Sequence, residues 1–567
     1  MARGGVAMTA AGQPPDSPEP PVQPELDPAQ QPAAQAATTD AVTRPTRRGG
    51  GLLRSTTVFS AMTLLSRVAG LARDMLQGRL FGASAAMDAF IIAYRIPNYL
   101  RRIFAEGSMQ MAFVPVLNEL RERGDQAALK DFIDRMAGTL FAVVLAVCGL
   151  GMLLAPWVAR VFAFGAADDD AQIALIASML RITFPYLLFI SMMALTASVL
   201  NSYGKFALPA VTPVLHNLTM IAAMLFLTPY FPKALQPKAL AWGVLIAGVA
   251  QFLVLWPSLR KLGLRPWPKP GFGDATVRRV VKLMGPTLFS SSVAQLNLLV
   301  GTGFAAALAT GSQTWLYSSD RLVELPLGLF GVAIGTVILP HLSRRHAASD
   351  TAGYSQALDW GLRLSLLLGV PAALGLLLLA VPVSSVVYEG MEFTAHDSRM
   401  VAISVAAMSV AIPAFMLSKV LSPAFYARQD SKTPMRAAIW TVLLNVVLTI
   451  AFTAPLWYYE VEGAHGGIAL ATSLAGIANA VLLWRYLRRD GLLQLQPGWG
   501  MFLLRLAAGC GLLAAAVLGM RGWMGEWTAI HGFWLRLGWL LAAIVAGAAA
   551  YGAGLLLTGL RPRHVRF

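Results

Sequence analysis

The stretch SRVAGLARDMLQGRLFGASAAMDAFIIAYRIPNYLRRIFAEG, residues 66–107, carries Arg67, Arg73, Arg79, Arg95, Arg101 and Arg102 in two runs otherwise apolar enough to lie in a membrane. An arginine at the centre of a membrane helix costs roughly 2.5–3.5 kcal/mol on insertion scales, and a leucine returns only about half a kcal/mol. Two or three central arginines therefore cancel most of one helix's insertion free energy, and such a helix faces a protein interior or a watery cavity rather than lipid. That decides the fold class: an all-α polytopic membrane protein in which other helices shield these two around a cationic, water-accessible interior suited to an anion.

The remaining sequence supplies the shielding helices. The chain has 567 residues, 56% of them hydrophobic and only 13% charged, against about 25% charged in soluble proteins, and its mean hydropathy is +0.60. About fourteen apolar segments of spanning length follow one another, near 57–79, 87–117, 137–164, 172–201, 210–230, 239–258, 277–304, 313–341, 358–388, 398–424, 434–455, 465–487, 500–521 and 533–559. Cations alternate between the connections. Arg121, Arg123 and Lys130 follow segment 2, Arg260, Lys261 and Arg265 follow segment 6, Arg344 and Arg345 follow segment 8, and Arg561, Arg563 and Arg566 follow segment 14. The intervening loops carry few cations and include the acidic AADDDA at 166–171, so an even number of spans with both termini cytoplasmic is expected.

The same composition removes several function classes. The formal charge of +16 is dispersed in short clusters between apolar runs, which marks topology and not nucleic-acid binding. Cys148 and Cys510 both lie inside apolar runs, there is no P-loop pattern, and the seven histidines show no HExxH spacing. No cofactor, metal site or ATPase motif is expected.

An internal repeat shows in the proline pattern. FVPVL around Pro115 resembles ILPHL around Pro340, and SYGKFALP ending at Pro209 resembles RQDSKTP ending at Pro434, both pairs 225 residues apart. Six spans separate the copies, so the halves share one orientation and are related by an axis along the membrane normal. The expected organisation is a disordered cytoplasmic Pro/Ala/Gln-rich tail (1–52), an N-terminal lobe of helices 1–6 (53–260), a C-terminal lobe of helices 7–12 (261–490), and helices 13–14 with a basic tail (491–567).

Within this frame the candidate residues are few. Arg67 and Asp74 are seven apart and share a helical face, with Arg73 about 120° away, so one helix presents cations to two walls. The alternatives are that Arg73 and Asp74 form an end-of-helix pair and that Arg79 snorkels at the rim. Segment 2 opens on Asp88, equally an interfacial helix start or a gating residue, and breaks near Pro97-Asn98 before Arg101, Arg102 and Glu106. Arg101 is the inward choice. On segment 8, Arg321 and Glu324 are three apart and form either a self-neutralising pair or an arginine facing those of the first half. Arg181, Arg363 with Asp359, and Lys419 are read as interfacial or locally paired. Guanidinium forks match phosphate oxygens and never deprotonate, so several converging arginines suit a pyrophosphate.

The strings SRVAGLARD, DAFIIAYRIPNYLRRIFAEG, AFVPVL, SDRLVELPLGLFGVAIGTVILP and FYARQDSKTP resemble the MurJ (MviN) family of lipid II flippases, within the multidrug/oligosaccharidyl-lipid/polysaccharide (MOP) exporter superfamily. The resemblance implies fourteen helices of the bacterial inner membrane, a central cationic cavity, and a lipid-tail groove at the last two helices. It implies a transporter, not an enzyme, that moves undecaprenyl-pyrophosphate-linked disaccharide-pentapeptide to the periplasmic leaflet for peptidoglycan synthesis. By motif its substrate-binding arginines fall on Arg67, Arg73, Arg101 and Arg321, and its gating or supporting positions on Asp74, Asp88, Asn98 and Glu324. A monomer among membrane lipids, in contact with peptidoglycan-synthesis proteins, is the expected setting. Two alternatives are a cation-coupled multidrug exporter, disfavoured by the excess of arginines over carboxylates, and a non-transporting scaffold of wall-synthesis enzymes, for which central arginines are unnecessary.

Overall fold

The structure, a computed structural model, describes residues 49–102, 108–264, 267–525, Trp527, Ile530 and 532–560. The sequence expectations for the tail up to residue 48, for Glu106 and Arg265, and for the C-terminal arginines from Arg561 onward lie outside the described residues. Those residues contain helices and no strand, and each of the fourteen apolar segments is helical. The first helix runs Gly49–Phe81, beginning inside the stretch expected to be tail.

Polar loop residues fix the helix starts. Asp125 accepts from the backbone N–H of Ala127 and Ala128, Asp274 does the same for Thr276 and Val277, and Thr394 forms a capping box with Asp397. Each satisfies donors that a helix N-terminus leaves unpaired.

Among the described residues nine helices are long and apolar enough to cross a membrane, or ten if Ala395–Ser409 and Ile412–Tyr426, bent by 44° at their junction, count as one span. Segments 1, 2, 7 and 8 contribute none of these. Arginines, amides and prolines dilute them, and segment 8 is also interrupted. In segment 2 the described helices are Ala85–Arg101, which runs unbroken through Pro97 where a break was expected, and Ser108–Glu122. Segment 8 is divided into Ser312–Pro326, a π-helical turn Leu327–Gly331, and Val332–Ala347. The polar pair 1–2 and the polar pair 7–8 occupy the same place in the two copies of the repeat.

Residues 59–567 form one compact unit, and every contact described below lies within it. A first core gathers buried side chains between Phe81 and Met284, including Phe113, Ile133, Met136 and Leu200, together with Tyr317. A second gathers those between Ala305 and Leu493, including Tyr354, Leu358, Met416 and Phe425. The last two helices, Trp499–Met524 and Phe533–Leu557, pack on each other so closely that a Cβ at Gly554 would stand 2.9 Å from the Gly509 backbone. Small residues permit such approach where no hydrophobic effect drives helix association. Tyr551 fastens the pair to the Thr351–Leu378 helix by donating to the Leu367 carbonyl at 2.6 Å.

Candidate functional site

Two polar cavities open inside this frame. The first, about 660 Å³, is lined by Arg67, Asn98 and Arg101 and by His216, Asn217 and Gln251 from two further helices. Arg101 donates from Nε to Asn98 Oδ1 at 2.9 Å, so the amide beside Pro97 orients the guanidinium. Gln251 donates to the Thr212 carbonyl at 2.9 Å, which leaves its Oε1, like His216 Nδ1, buried without a protein partner.

Arg73 and Asp74 do not line this cavity but stand behind Asn217, which does. Arg73 donates to Asp74 Oδ1 at 2.6 and 3.1 Å, and its third contact goes from Nη1 to Asn217 Oδ1 at 2.9 Å. Asn217 in turn donates to the Ser66 carbonyl at 3.0 Å. The pair anticipated as an end-of-helix contact thus exists, but inside the bundle and pinned from the Ala207–Phe226 helix, 144 positions away. The sequence reading missed Asn217.

The second cavity, about 1090 Å³, is lined by Asp320, Glu324, Lys419, Ser422, Thr441 and Asn479 among others. Arg321 donates to Glu324 at 2.8 Å and lies over the Tyr317 ring at 5.0 Å, so it is locally paired beside this cavity. Lys419, expected at an interface or in a local pair, instead lines the cavity. Phe415, Ser418, Lys419 and Ser422 form one face of the Ile412–Tyr426 helix, and that face lines the cavity.

The two cavities are copies of each other. Asn98 and Val323, Met193 and Ser418, Ala194 and Lys419, Asn201 and Tyr426, His216 and Thr441, Asn217 and Val442, and Gln251 and Gly476 all line their respective cavities, each pair 225 residues apart. That is the offset read from the prolines.

The π-helical turn stands between them. A Cβ at Gly328 would run into the Arg67 guanidinium, and one at Gly331 would stand 3.5 Å from Lys419 Cγ, so one short turn seats a cation from each half. Arg95 crosses between halves. It donates to Thr302 at 3.0 Å and Gln313 at 3.1 Å and lies 3.8 Å from Asp320, its own repeat equivalent.

Asp88 is not in either cavity. It is buried, and it accepts from the Gly311 N–H at 2.7 Å, the Thr314 N–H at 2.9 Å and the Thr314 hydroxyl at 2.6 Å. A residue of the first half therefore caps the Ser312–Pro326 helix of the second. The same end of the bundle carries other ties: Arg79 donates to the Val386 carbonyl at 2.8 Å and lies over Phe533 at 4.5 Å, and Lys233 meets Glu392 at 2.9 Å. Arg79 is thus held by protein rather than left at a lipid rim. Arg67, Arg73, Asp74, Asn98 and Arg101 are brought together, Arg321 and Glu324 gather at the second cavity, and Asp88 stands apart as an inter-half tie. Among the described residues no His, Cys, Asp and Glu cluster suits a metal ion.

A bundle with two repeat-related polar cavities and a cation-bearing break between them is a membrane-transporter architecture. It matches the inward-facing conformation of a multidrug resistance MATE family transporter of the MOP superfamily at a TM-score of 0.61, with 13% identity over 77% of this chain and 98% of that one, a likeness of fold. The chain belongs to the lipid II flippase MurJ family, whose profile matches residues 78–538. A solved structure described as lipid II flippase MurJ in an inward closed conformation superposes at a TM-score of 0.73, with 26% identity over 88% of this chain and 98% of that chain. The probable lipid II flippase MurJ of Vibrio cholerae serotype O1 is 42% identical over 523 residues, 91% of this chain and 98% of its own.

Proposed function

We propose that this protein flips lipid II, the undecaprenyl-pyrophosphate-linked peptidoglycan precursor, from the cytoplasmic to the periplasmic leaflet of the bacterial inner membrane. The observation that carries the reading is that Arg67 and Arg101 line one cavity, Arg101 oriented by the Asn98 amide, with Arg73 held behind the cavity wall through Asn217. Guanidinium groups held this way present paired donors to a pyrophosphate at little further ordering cost. Arg321 serves from the second half, released from Glu324 when an anion competes for it. Asp74, Asn98 and Glu324 act as supporting residues.

The cycle is alternating access: two six-helix lobes, 53–260 and 261–490, rock about the axis along the membrane normal, and no bond is made or broken. Asp88 ties the two halves together at one end, and opening there would break its contacts with the start of the Ser312–Pro326 helix. The positive-inside pattern favours cytoplasmic termini and hence makes that end periplasmic. An apolar cavity of about 450 Å³ between Leu367, Pro371 and the last two helices, at Leu513, Val517, Gly547 and Tyr551, supports a path for the polyprenyl tail outside the polar interior. The protein works as a monomer among membrane lipids, alongside peptidoglycan-synthesis proteins.

The test is lipid II flipping by the purified protein in vesicles. Losing one charge-assisted contact corresponds to roughly 1.5–3 kcal/mol, so Arg67→Ala and Arg101→Ala should each slow flipping on the order of tenfold or more while the thermal midpoint stays unchanged. Full activity in either variant would remove that arginine from the substrate-binding role.

A further inference from the structure

The two cavities share a register but not a chemistry, and the difference assigns a second part of the substrate. In the first half the repeat places the amide, ring and amide of Asn217, His216 and Gln251 beside two arginines. At the equivalent positions the second half has Val442, Thr441 and Gly476, and where the first half has Ala194 it has Lys419. Lys419 is a single ammonium among Ser418, Ser422, Thr441 and Asn479, and among the described residues it has no ion-pair or hydrogen-bond partner. The two carboxylates of the same cavity are engaged elsewhere, Asp320 with Arg95 at 3.8 Å and Glu324 with Arg321 at 2.8 Å.

An unpaired cation on a mid-helix position of a membrane bundle is costly to insert, and rim snorkelling does not account for it here, because the side chain lies against the π-helical turn at Gly331 inside the cavity. A compact, strongly hydrated ammonium is a point-charge partner, without the planar fork that suits pyrophosphate. Hydroxyls and an amide around one ammonium fit neutral sugar and peptide groups with one terminal anionic oxygen pair. The volume, about 1090 Å³ against about 660 Å³ in the first half, fits the larger part of a headgroup.

We propose that the second-half cavity is the subsite for the glycan-peptide portion of the headgroup, with Lys419 binding a carboxylate of the peptide. This rests on the lipid II reading above. The headgroup is then held at two points, pyrophosphate against the first-half arginines and carboxylate against Lys419, with the Leu327–Gly331 turn between them.

The test compares wild type, Lys419→Met and Lys419→Arg, each the full chain in nanodiscs. The binding probes are undecaprenyl pyrophosphate, lipid II, and lipid II whose peptide carboxylates are amidated. Lys419→Met should weaken lipid II binding on the order of tenfold, leave undecaprenyl pyrophosphate within about twofold, and make no difference to the amidated probe, which wild type already binds more weakly. Lys419→Arg, keeping the charge, should recover most of the loss. Equal weakening of undecaprenyl pyrophosphate would place Lys419 at the phosphates, and unchanged lipid II binding would remove it from the site; either result overturns the proposal. Wild type that binds none of the three probes would overturn the lipid II reading itself, which the other outcomes leave standing.

Discussion

Arg67 and Arg73 are one turn and a half apart on the same helix and are held in opposite ways. Arg73 spends its donors on Asp74 and Asn217, whereas Arg67 extends from the cavity wall to the backbone of Gly328. On the proposed reading Asn217 positions Arg73, and Asn217→Ala should lower flipping several-fold by freeing the guanidinium, since each hydrogen bond of this kind contributes about 1–3 kcal/mol. Vesicle flipping measured beside the apparent lipid II affinity checks this; a variant with unchanged flipping and affinity would show that Asp74 alone positions Arg73. The arginines were legible in the sequence because their insertion cost demands an explanation. Asn217 and Lys419 were not, since a lone polar residue in an apolar helix also fits an interface, and the contacts that give them meaning join distant positions. Setting the two halves in the 225-residue register would have put Lys419 opposite Ala194 and exposed the asymmetry.

At the scale of elements, the interruption of segment 8 matters more than its length. The turn Leu327–Gly331 presents glycines where Arg67 and Lys419 approach, and π-type turns of this sort recur at functional sites. Gly328→Ala would push aside only the far end of a flexible arginine, so the thermal midpoint should move by no more than a few degrees while flipping falls on the order of tenfold through loss of the Arg67 contact. Unfolding of the variant, or normal transport, would contradict that role. The second element-scale device is the cap that Asp88 supplies to the Ser312–Pro326 helix. Asp88→Ala removes three hydrogen bonds to a carboxylate and should shift the population toward opening at that end. Labelling of a cysteine introduced at the buried Ser312 by a membrane-impermeant thiol reagent reads this out, with the native Cys148 and Cys510 buried and silent; faster labelling than in the Ser312→Cys parent is expected, and an equal rate would show that Asp88 is a structural cap only. Helix existence in every segment was readable from apolar run length and cap residues. Proline marks two of the breaks, Pro326 before the Leu327–Gly331 turn and Pro413 just after the 44° bend, whereas Pro97, where a break was expected, lies within the continuous helix Ala85–Arg101.

At the scale of the whole molecule, segments 1, 2 and 8 line the polar interior, and segment 7 meets segment 2 across the halves where Arg95 donates to Thr302. Arg95 and Asp320 are the clearest case, repeat-equivalent positions facing each other at 3.8 Å. Such an arrangement makes these helices poor spans singly and acceptable together, because each shields the other's polar side from lipid. The all-α class and the repeat were therefore visible in hydropathy and proline spacing, while the partition into two unlike cavities required the packed structure. The central claim is that this cationic interior passes lipid II across the membrane. It is tested most directly by depleting the protein in its parent bacterium, in a strain without another lipid II flippase, and measuring lipid II accessible on the outer leaflet. Outer-leaflet lipid II should fall while the total pool rises, with recovery on re-expression of wild type but not of Arg67→Ala; undiminished outer-leaflet lipid II after depletion would contradict the account.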